Sequence, residues 1–139
     1  MKISIYFIGK PRDRSANAMA EEYLKRSTRY ASCEMREVRS DRFNPAQKWP
    51  SAFRVLLDPA GKAMNSATFA QLISRLETEA RDAVFLIGAH DGAPAEWKSS
   101  ASMLLSLSPM TLPHELARVV LTEQIYRALA TLRGHPYAR

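Results

Sequence analysis

Short apolar runs alternate with longer stretches of helical periodicity along this chain, and this alternation restricts the fold more than any other feature. Buried strands are predicted at residues 2–8, 52–58, 84–87 and 104–107, and a more polar, edge-like strand at 33–39. Helices are predicted at residues 16–30, 67–81, 94–103 and 114–133. Such an order predicts an α/β fold with a mainly parallel sheet covered by helices on both faces.

Two proline-containing segments interrupt this pattern. Residues 40–51 are predicted as a loop too broken for a full helix, and Pro59-Ala60-Gly61 is predicted to end the preceding strand. No repeat or low-complexity tract divides the chain, so residues 1–139 are expected to form one domain.

Cysteine use and apolar run lengths favour a soluble protein of the reducing cytoplasm. Cys33 is the one cysteine, so no internal disulfide is expected, and no residues have the spacing of a metal site. No apolar run approaches the ~18 residues of a membrane span, and no secretion signal is recognisable at the N-terminus.

The net charge of +6 favours a polyanionic partner, with RNA as the first candidate, although composition alone fits an ordinary basic surface equally well.

The last predicted helix is apolar on more than one side, including Leu116, Val120, Leu121 and Leu129. A helix of this kind needs two partners. We expect one to be its own sheet and the other to be the same helix of a second copy, in a two-fold homodimer.

Three strand ends carry loop-forming residues, at 57–61, 88–92 and 107–113. In open α/β sheets, ligands bind outside the carboxyl ends of the strands, so these loops are the predicted ligand site. The glycine patterns of dinucleotide and triphosphate sites are absent, as is the nucleophile elbow of serine hydrolases.

The segments Leu86-Ile87-Gly88, 105–114, 118–128 and Arg133-Gly134-His135-Pro136-Tyr137 closely resemble the ribosomal RNA large subunit methyltransferase H family. The resemblance covers nearly the whole chain and is most specific in the C-terminal third. It implies a SPOUT-type fold with a C-terminal trefoil knot, a homodimer, and an enzyme that uses S-adenosylmethionine to methylate N3 of a pseudouridine in 23S ribosomal RNA, of the pseudouridine 1915 type.

The resemblance also implies site residues. The methyl donor would be bound by Leu57, Gly88, Leu107, Ser108, Pro109, Met110, Thr111 and Leu112. His135 and Tyr137 are candidates for orienting a base or relaying a proton. Arg118, Arg127, Arg133 and Arg139 are candidates for binding RNA phosphates, together with the basic loop Lys10, Arg12 and Arg14. No metal is implied.

Three departures from the family pattern keep alternatives open. Ala89 stands where a second glycine is usual, Ala138 stands where a tail histidine is usual, and the 40–51 segment is shorter than usual. One alternative is a catalytically weak dimer that binds RNA or the ribosome and retains the fold. Another is a small α/β enzyme that uses a different nucleotide cofactor.

Overall fold

The computed structural model describes residues 1–138, in which one sheet contains all the strands. The strands are β1 (Lys2–Ile8), β2 (Ser32–Val38), β3 (Phe53–Ala63), β4 (Ala83–Ile87) and β5 (Met103–Ser106). The helices are α1 (Arg14–Ser27), α2 (Pro45–Lys48), α3 (Ser66–Thr78), α4 (Ala95–Ser99) and α5 (His114–Leu132), followed by a 3-10 turn at Pro136–Ala138. The sheet order is β2-β1-β4-β3-β5, and every pair is parallel. The predicted α/β fold and the edge position of β2 are confirmed.

The two faces of the sheet are covered unequally. One face packs alternate residues of β1, β3 and β4 against α3 and α5, and includes Ile5, Val55 and Phe85. The opposite face is smaller and packs Tyr6 and Leu56 with neighbours from the 43–52 segment and α4. Helices therefore lie on both faces, as predicted, but the long ones share one face.

Helix α5 is covered by its own chain far more than the sequence suggested. It packs along α1 and against α3, and Leu121, Ile125 and Leu129 are fully buried. The argument that a helix apolar on two sides needs a second copy is therefore wrong, because α1 and α3 provide the second partner. The homodimer itself stays a prediction.

Strand β3 does not end at Pro59. It continues to Ala63, and its pairing with β5 shifts register between Leu57 and Lys62. The Asp58 carboxylate accepts a hydrogen bond from the Ala60 N–H over 2.8 Å and shapes this irregular stretch. A proline fits there because its missing N–H falls where the ladder is interrupted.

Three predicted helices end earlier than expected, and α1 ends at Ser27 rather than at residue 30. Helix α3 ends at Thr78 rather than Arg81, because Ala80 adopts a positive φ of 52° and the Arg81 N–H bonds back to the Leu76 carbonyl. Helix α4 ends at Ser99, and the chain enters β5 at Met103. The Ser102 N–H bonds to the Arg54 carbonyl, which draws this stretch toward β3.

The 40–51 segment forms a single helical turn, α2, capped by the Asn44 side chain. Trp49 donates its indole N–H to the Tyr6 hydroxyl over 2.9 Å, and buried Trp97 donates to the Phe43 carbonyl over 3.3 Å. Both tryptophans are thus packing residues.

Candidate functional site

A cavity of about 780 Å³ opens where β4, β3 and β5 lie side by side. Its walls are the three predicted strand-end loops, which the sheet order makes neighbours. Of the residues predicted to bind a methyl donor, all except Pro109 line the cavity, namely Leu57, Gly88, Leu107, Ser108, Met110, Thr111 and Leu112. This size is in the range of sites that bind small molecules and cofactors.

Gly88 is required by the close packing of its own loop. A Cβ at Gly88 would lie 2.8 Å from the Ala93 nitrogen and 2.9 Å from the Gly92 carbonyl carbon, both of them backbone atoms. The Gly92 N–H bonds to the Ala89 carbonyl over 2.9 Å and closes the turn. Ala89 does not have a positive φ, so the alanine in place of a second glycine introduces no strain.

The loop after β5 is shaped by its own serines. The Ser106 hydroxyl donates to the Ser108 carbonyl, and the Met110 N–H donates to the Ser108 hydroxyl oxygen, each over 3.0 Å. These bonds fold the loop back beside the cavity. Met110 is 77% exposed at its mouth.

Ionisable residues absent from the predicted donor-binding set also line the cavity, namely Asp58, His90, Asp91 and His114. Asp58 forms a 3.8 Å ion pair with Lys98. The sequence signal for these residues was their position directly after a strand or at the start of α5, where the carboxyl ends of parallel strands place polar groups together.

The tail candidates do not reach this cavity in the same chain. Tyr137 donates its hydroxyl to Glu123 over 2.7 Å, and its ring lies 4.6 Å from that of Tyr126. Burial, and then the bond to Glu123, raise the pKa of Tyr137 above its ordinary value. The Tyr137 N–H donates to His135 Nδ1 over 3.2 Å. The cavity lining includes His114 and Ala117 of α5, whereas Tyr137 packs against Glu123 and Tyr126, about 9–14 Å farther along the same helix.

The predicted phosphate-binding arginines have different environments. Arg118 is 1% exposed, so this guanidinium is not at the surface where a phosphate would bind, and the expectation for Arg118 is wrong on the ground of burial. Arg127 pairs with Glu123 at 3.0 Å, and Arg133 pairs with Glu77 at 2.7 Å. Both remain partly exposed. Arg139 lies outside the described residues.

Within residues 1–138, no group of three or more His, Cys, Asp and Glu side chains is arranged to hold a metal ion. None of the helices found there combines the length and apolar character required to cross a membrane.

Comparison with known proteins agrees with this architecture. Residues 1–138 match the family model described as predicted SPOUT methyltransferase. The chain is 59% identical over 139 residues to ribosomal RNA large subunit methyltransferase H of Solibacter usitatus (strain Ellin6076), with 100% of both chains covered. It is 38% identical over 146 aligned residues to the protein of that name from Sorangium cellulosum (strain So ce56), with 99% of both covered.

A solved structure shares the fold at low sequence identity. A probable methylase family protein from Haemophilus influenzae Rd KW20 aligns with a TM-score of 0.63 at 10% identity, over 99% of this chain and 70% of that one. The full-length match to the family model and to these relatives decides the assignment: the chain belongs to the ribosomal RNA large subunit methyltransferase H family of SPOUT methyltransferases.

Proposed function

We propose that this protein transfers a methyl group from S-adenosylmethionine to N3 of a pseudouridine in 23S ribosomal RNA. The observation that carries the proposal is the cavity formed by three neighbouring strand-end loops, in a chain that matches the methyltransferases over its whole length. We expect the protein to work in the cytoplasm, where ribosomes are found.

The cavity residues fit an adenosyl donor. Leu57, Leu107 and Leu112 provide apolar walls for a flat base, and the tightly turned Gly88 loop presents backbone groups without a side chain. When bound, S-adenosylmethionine supplies a methyl group on a positively charged sulfur, which is already a strong electrophile. The main task of the protein is then to align this group with the target nitrogen, and well-oriented reactants can gain about 7–11 kcal/mol.

Removal of the N3 proton is the second task, for which a positioned base contributes about 10²–10⁴-fold. We propose that His135 and Tyr137 act at the cavity of a second copy, in a two-fold homodimer, because neither lines the cavity of its own chain. Tyr137 has a raised pKa and donates to Glu123, so its part would be to orient the tail rather than to accept the proton.

The RNA would meet the basic side chains near the tail and near the start of α1. Arg127, Arg133 and Arg139 are the tail candidates, and Lys10, Arg12 and Arg14 form the loop candidates. We propose that these groups bind phosphates and so position the RNA, while the cavity selects the reacting base.

The donor site is tested with Gly88→Ala, the smallest change that fills the tight turn. Because the added Cβ meets backbone atoms rather than flexible side chains, we expect the affinity for S-adenosylmethionine in calorimetry to fall at least about tenfold. Ala89→Gly is the matched control one residue away and should bind normally. Equal affinity for the donor in Gly88→Ala and the wild type would reject this site.

The reaction is tested by mass mapping of 23S ribosomal RNA from cells with and without the protein. We expect one methyl group on one pseudouridine to disappear with the gene. A second candidate function, a catalytically weak dimer that binds the ribosome, is favoured by Ala138 at the place of the usual tail histidine. Methylation of 70S ribosomes by the purified protein would exclude that alternative.

A further inference from the structure

The Glu115 carboxylate, in the first turn of α5, binds the loop that precedes α1. It accepts hydrogen bonds from the backbone N–H groups of Arg12 and Asp13, the latter over 3.1 Å, and from the Arg118 side chain over 3.2 Å. The Arg12 N–H lowers the pKa of Glu115, which keeps the group charged at neutral pH. One carboxylate thus joins two segments about a hundred residues apart in sequence.

The Arg118 side chain holds the Glu115 carboxylate from the side of the protein interior. Its guanidinium lies 3.9 Å from the ring centroid of Phe7, the next-to-last residue of β1. Only 1% of Arg118 is exposed. Its Nε has no hydrogen-bond partner among the described residues. Moving Glu115 away would leave the buried Arg118 cation without its paired charge, which is strongly destabilising. The ion pair therefore holds Glu115 in place.

The segment held by Glu115 runs from Gly9 to Arg14, the first residue of α1, and begins beside a residue that lines the cavity. The segment carries three cations, Lys10, Arg12 and Arg14, which are exposed and form no ion pair within residues 1–138. The loop begins at Gly9, where an added Cβ would lie 3.8 Å from Nε2 of His114, a residue that lines the cavity. Glu115 binds the main chain of the loop and so leaves its basic side chains available.

We propose that Glu115, anchored by Arg118, is a positioning residue that fixes the basic loop beside the cavity so that its cations bind phosphates of the RNA substrate. This inference rests on the proposed function and adds how the RNA is held. The simpler reading is that Glu115 only stabilises the start of α5, as an acidic residue in a first helical turn does. That reading predicts a change in stability without a change in RNA affinity.

The test compares Glu115→Ala with Glu79→Ala, which removes an exposed carboxylate at the opposite end of the sheet. Both variants raise the net charge by one, which alone strengthens binding to RNA. We expect Glu115→Ala to weaken RNA binding instead, and to raise KM for 70S ribosomes by about fivefold or more, because phosphate contacts are lost. The kcat and the affinity for S-adenosylmethionine should stay within about twofold, since the cavity walls are unchanged.

A KM for Glu115→Ala that stays at or below the Glu79→Ala value would overturn the proposal. A matching loss of donor affinity would also overturn it, because Glu115 would then shape the cavity rather than the loop. If Glu115→Ala fails to fold, Glu115→Gln replaces it, since an amide can still accept one of the two backbone hydrogen bonds. Glu79→Gln is then the control.

A double-mutant cycle assigns the effect to the loop. In a chain carrying Lys10→Ala, Arg12→Ala and Arg14→Ala together, we expect Glu115→Ala to add no further change in KM. A full further increase in that background would contradict the proposal. Direct binding to 70S ribosomes, measured by cosedimentation for the same variants, separates this inference from the proposed function. A wild type that binds ribosomes without methylating them would reject the reaction and still allow the Glu115 comparison.

Discussion

Cys33 shows how strongly its surroundings control a single side chain. It is partly buried in β2 against the main core, and its thiol donates to the Ala31 carbonyl over 3.4 Å. Burial raises the pKa of the thiol from 9.0 to about 12. Cys33 thus acts as a small apolar side chain packed against the core.

The raised pKa predicts an unreactive thiol in the folded protein. At pH 8 an ordinary thiol of this kind is about one-tenth ionised, whereas a pKa near 12 leaves about one in ten thousand ionised. We therefore expect disulfide-exchange reagents to label Cys33 at least about tenfold more slowly in the folded than in the denatured chain, because the higher nucleophilicity of a high-pKa thiolate offsets only part of the lost ionisation. Equal labelling rates in both states would refute this.

The same shift fixes the sign of a pH effect on stability. The unfolded thiol loses its proton near pH 9, while the folded thiol keeps it to about pH 12. The contribution of Cys33 is therefore complete below pH 9 and is lost as the pH rises through that interval. Denaturant titrations should show that Cys33→Ala is less sensitive than the wild type to this rise in pH.

Arg118 marks the limit of sequence interpretation at the residue scale. An arginine four residues after a helix start reads as a surface cation, and nothing in the pattern revealed that Phe7 and Glu115 would enclose it. The capping of α1 by Asp13, which accepts a hydrogen bond from the Ala16 N–H over 3.0 Å, is by contrast a local contact of a kind that sequence patterns can indicate.

At the scale of elements, the contact between β3 and β5 is unusually close at Gly61. A Cβ there would lie 2.5 Å from the Leu104 carbonyl carbon and 2.7 Å from the Leu105 nitrogen. Both atoms belong to the backbone of β5, so neither can move aside easily.

We therefore expect Gly61→Ala to lower the free energy of unfolding by about 1–3 kcal/mol, as overpacking does. Urea denaturation followed by circular dichroism measures this change. The neighbouring Ala60→Ser, at an exposed position, is the control and should change stability by less than about 0.5 kcal/mol. A fully stable Gly61→Ala chain would show that β3 and β5 can separate at this point.

Which elements exist was predictable, while their ends and neighbours were less so. The periodicity of β1, β4 and α5 is strong enough that their positions follow from it. The extension of β3 and the early end of α4 depend on pairing with β5, which is a long-range contact. The sheet order and the knot implied by the family resemblance have no local signal, and the knot stays a prediction.

At the scale of the whole molecule, the homodimer is open to a direct test. Leu116 on α5 is 44% exposed and Met19 on α1 is 50% exposed, so both helices offer apolar surface that a second copy would cover. Leu121 is unsuitable for the test because it is fully buried, and a charge there would unfold the chain.

We expect Leu116→Asp to convert a dimer into a folded monomer in light scattering and to abolish methylation, because the tail of one copy would no longer reach the cavity of the other. Thr131→Asp, exposed on the same helix, should remain dimeric. A monomeric wild type, or a fully active monomeric Leu116→Asp, would contradict the dimer.

The cavity takes its walls from residues as far apart as Leu57 and Ala117. During synthesis the cavity cannot form in part, because its last lining residue is made some sixty residues after its first. The proposed donor site is therefore complete only after Ala117 has emerged and folded, so a newly made copy cannot modify ribosomes before that stage of its own synthesis.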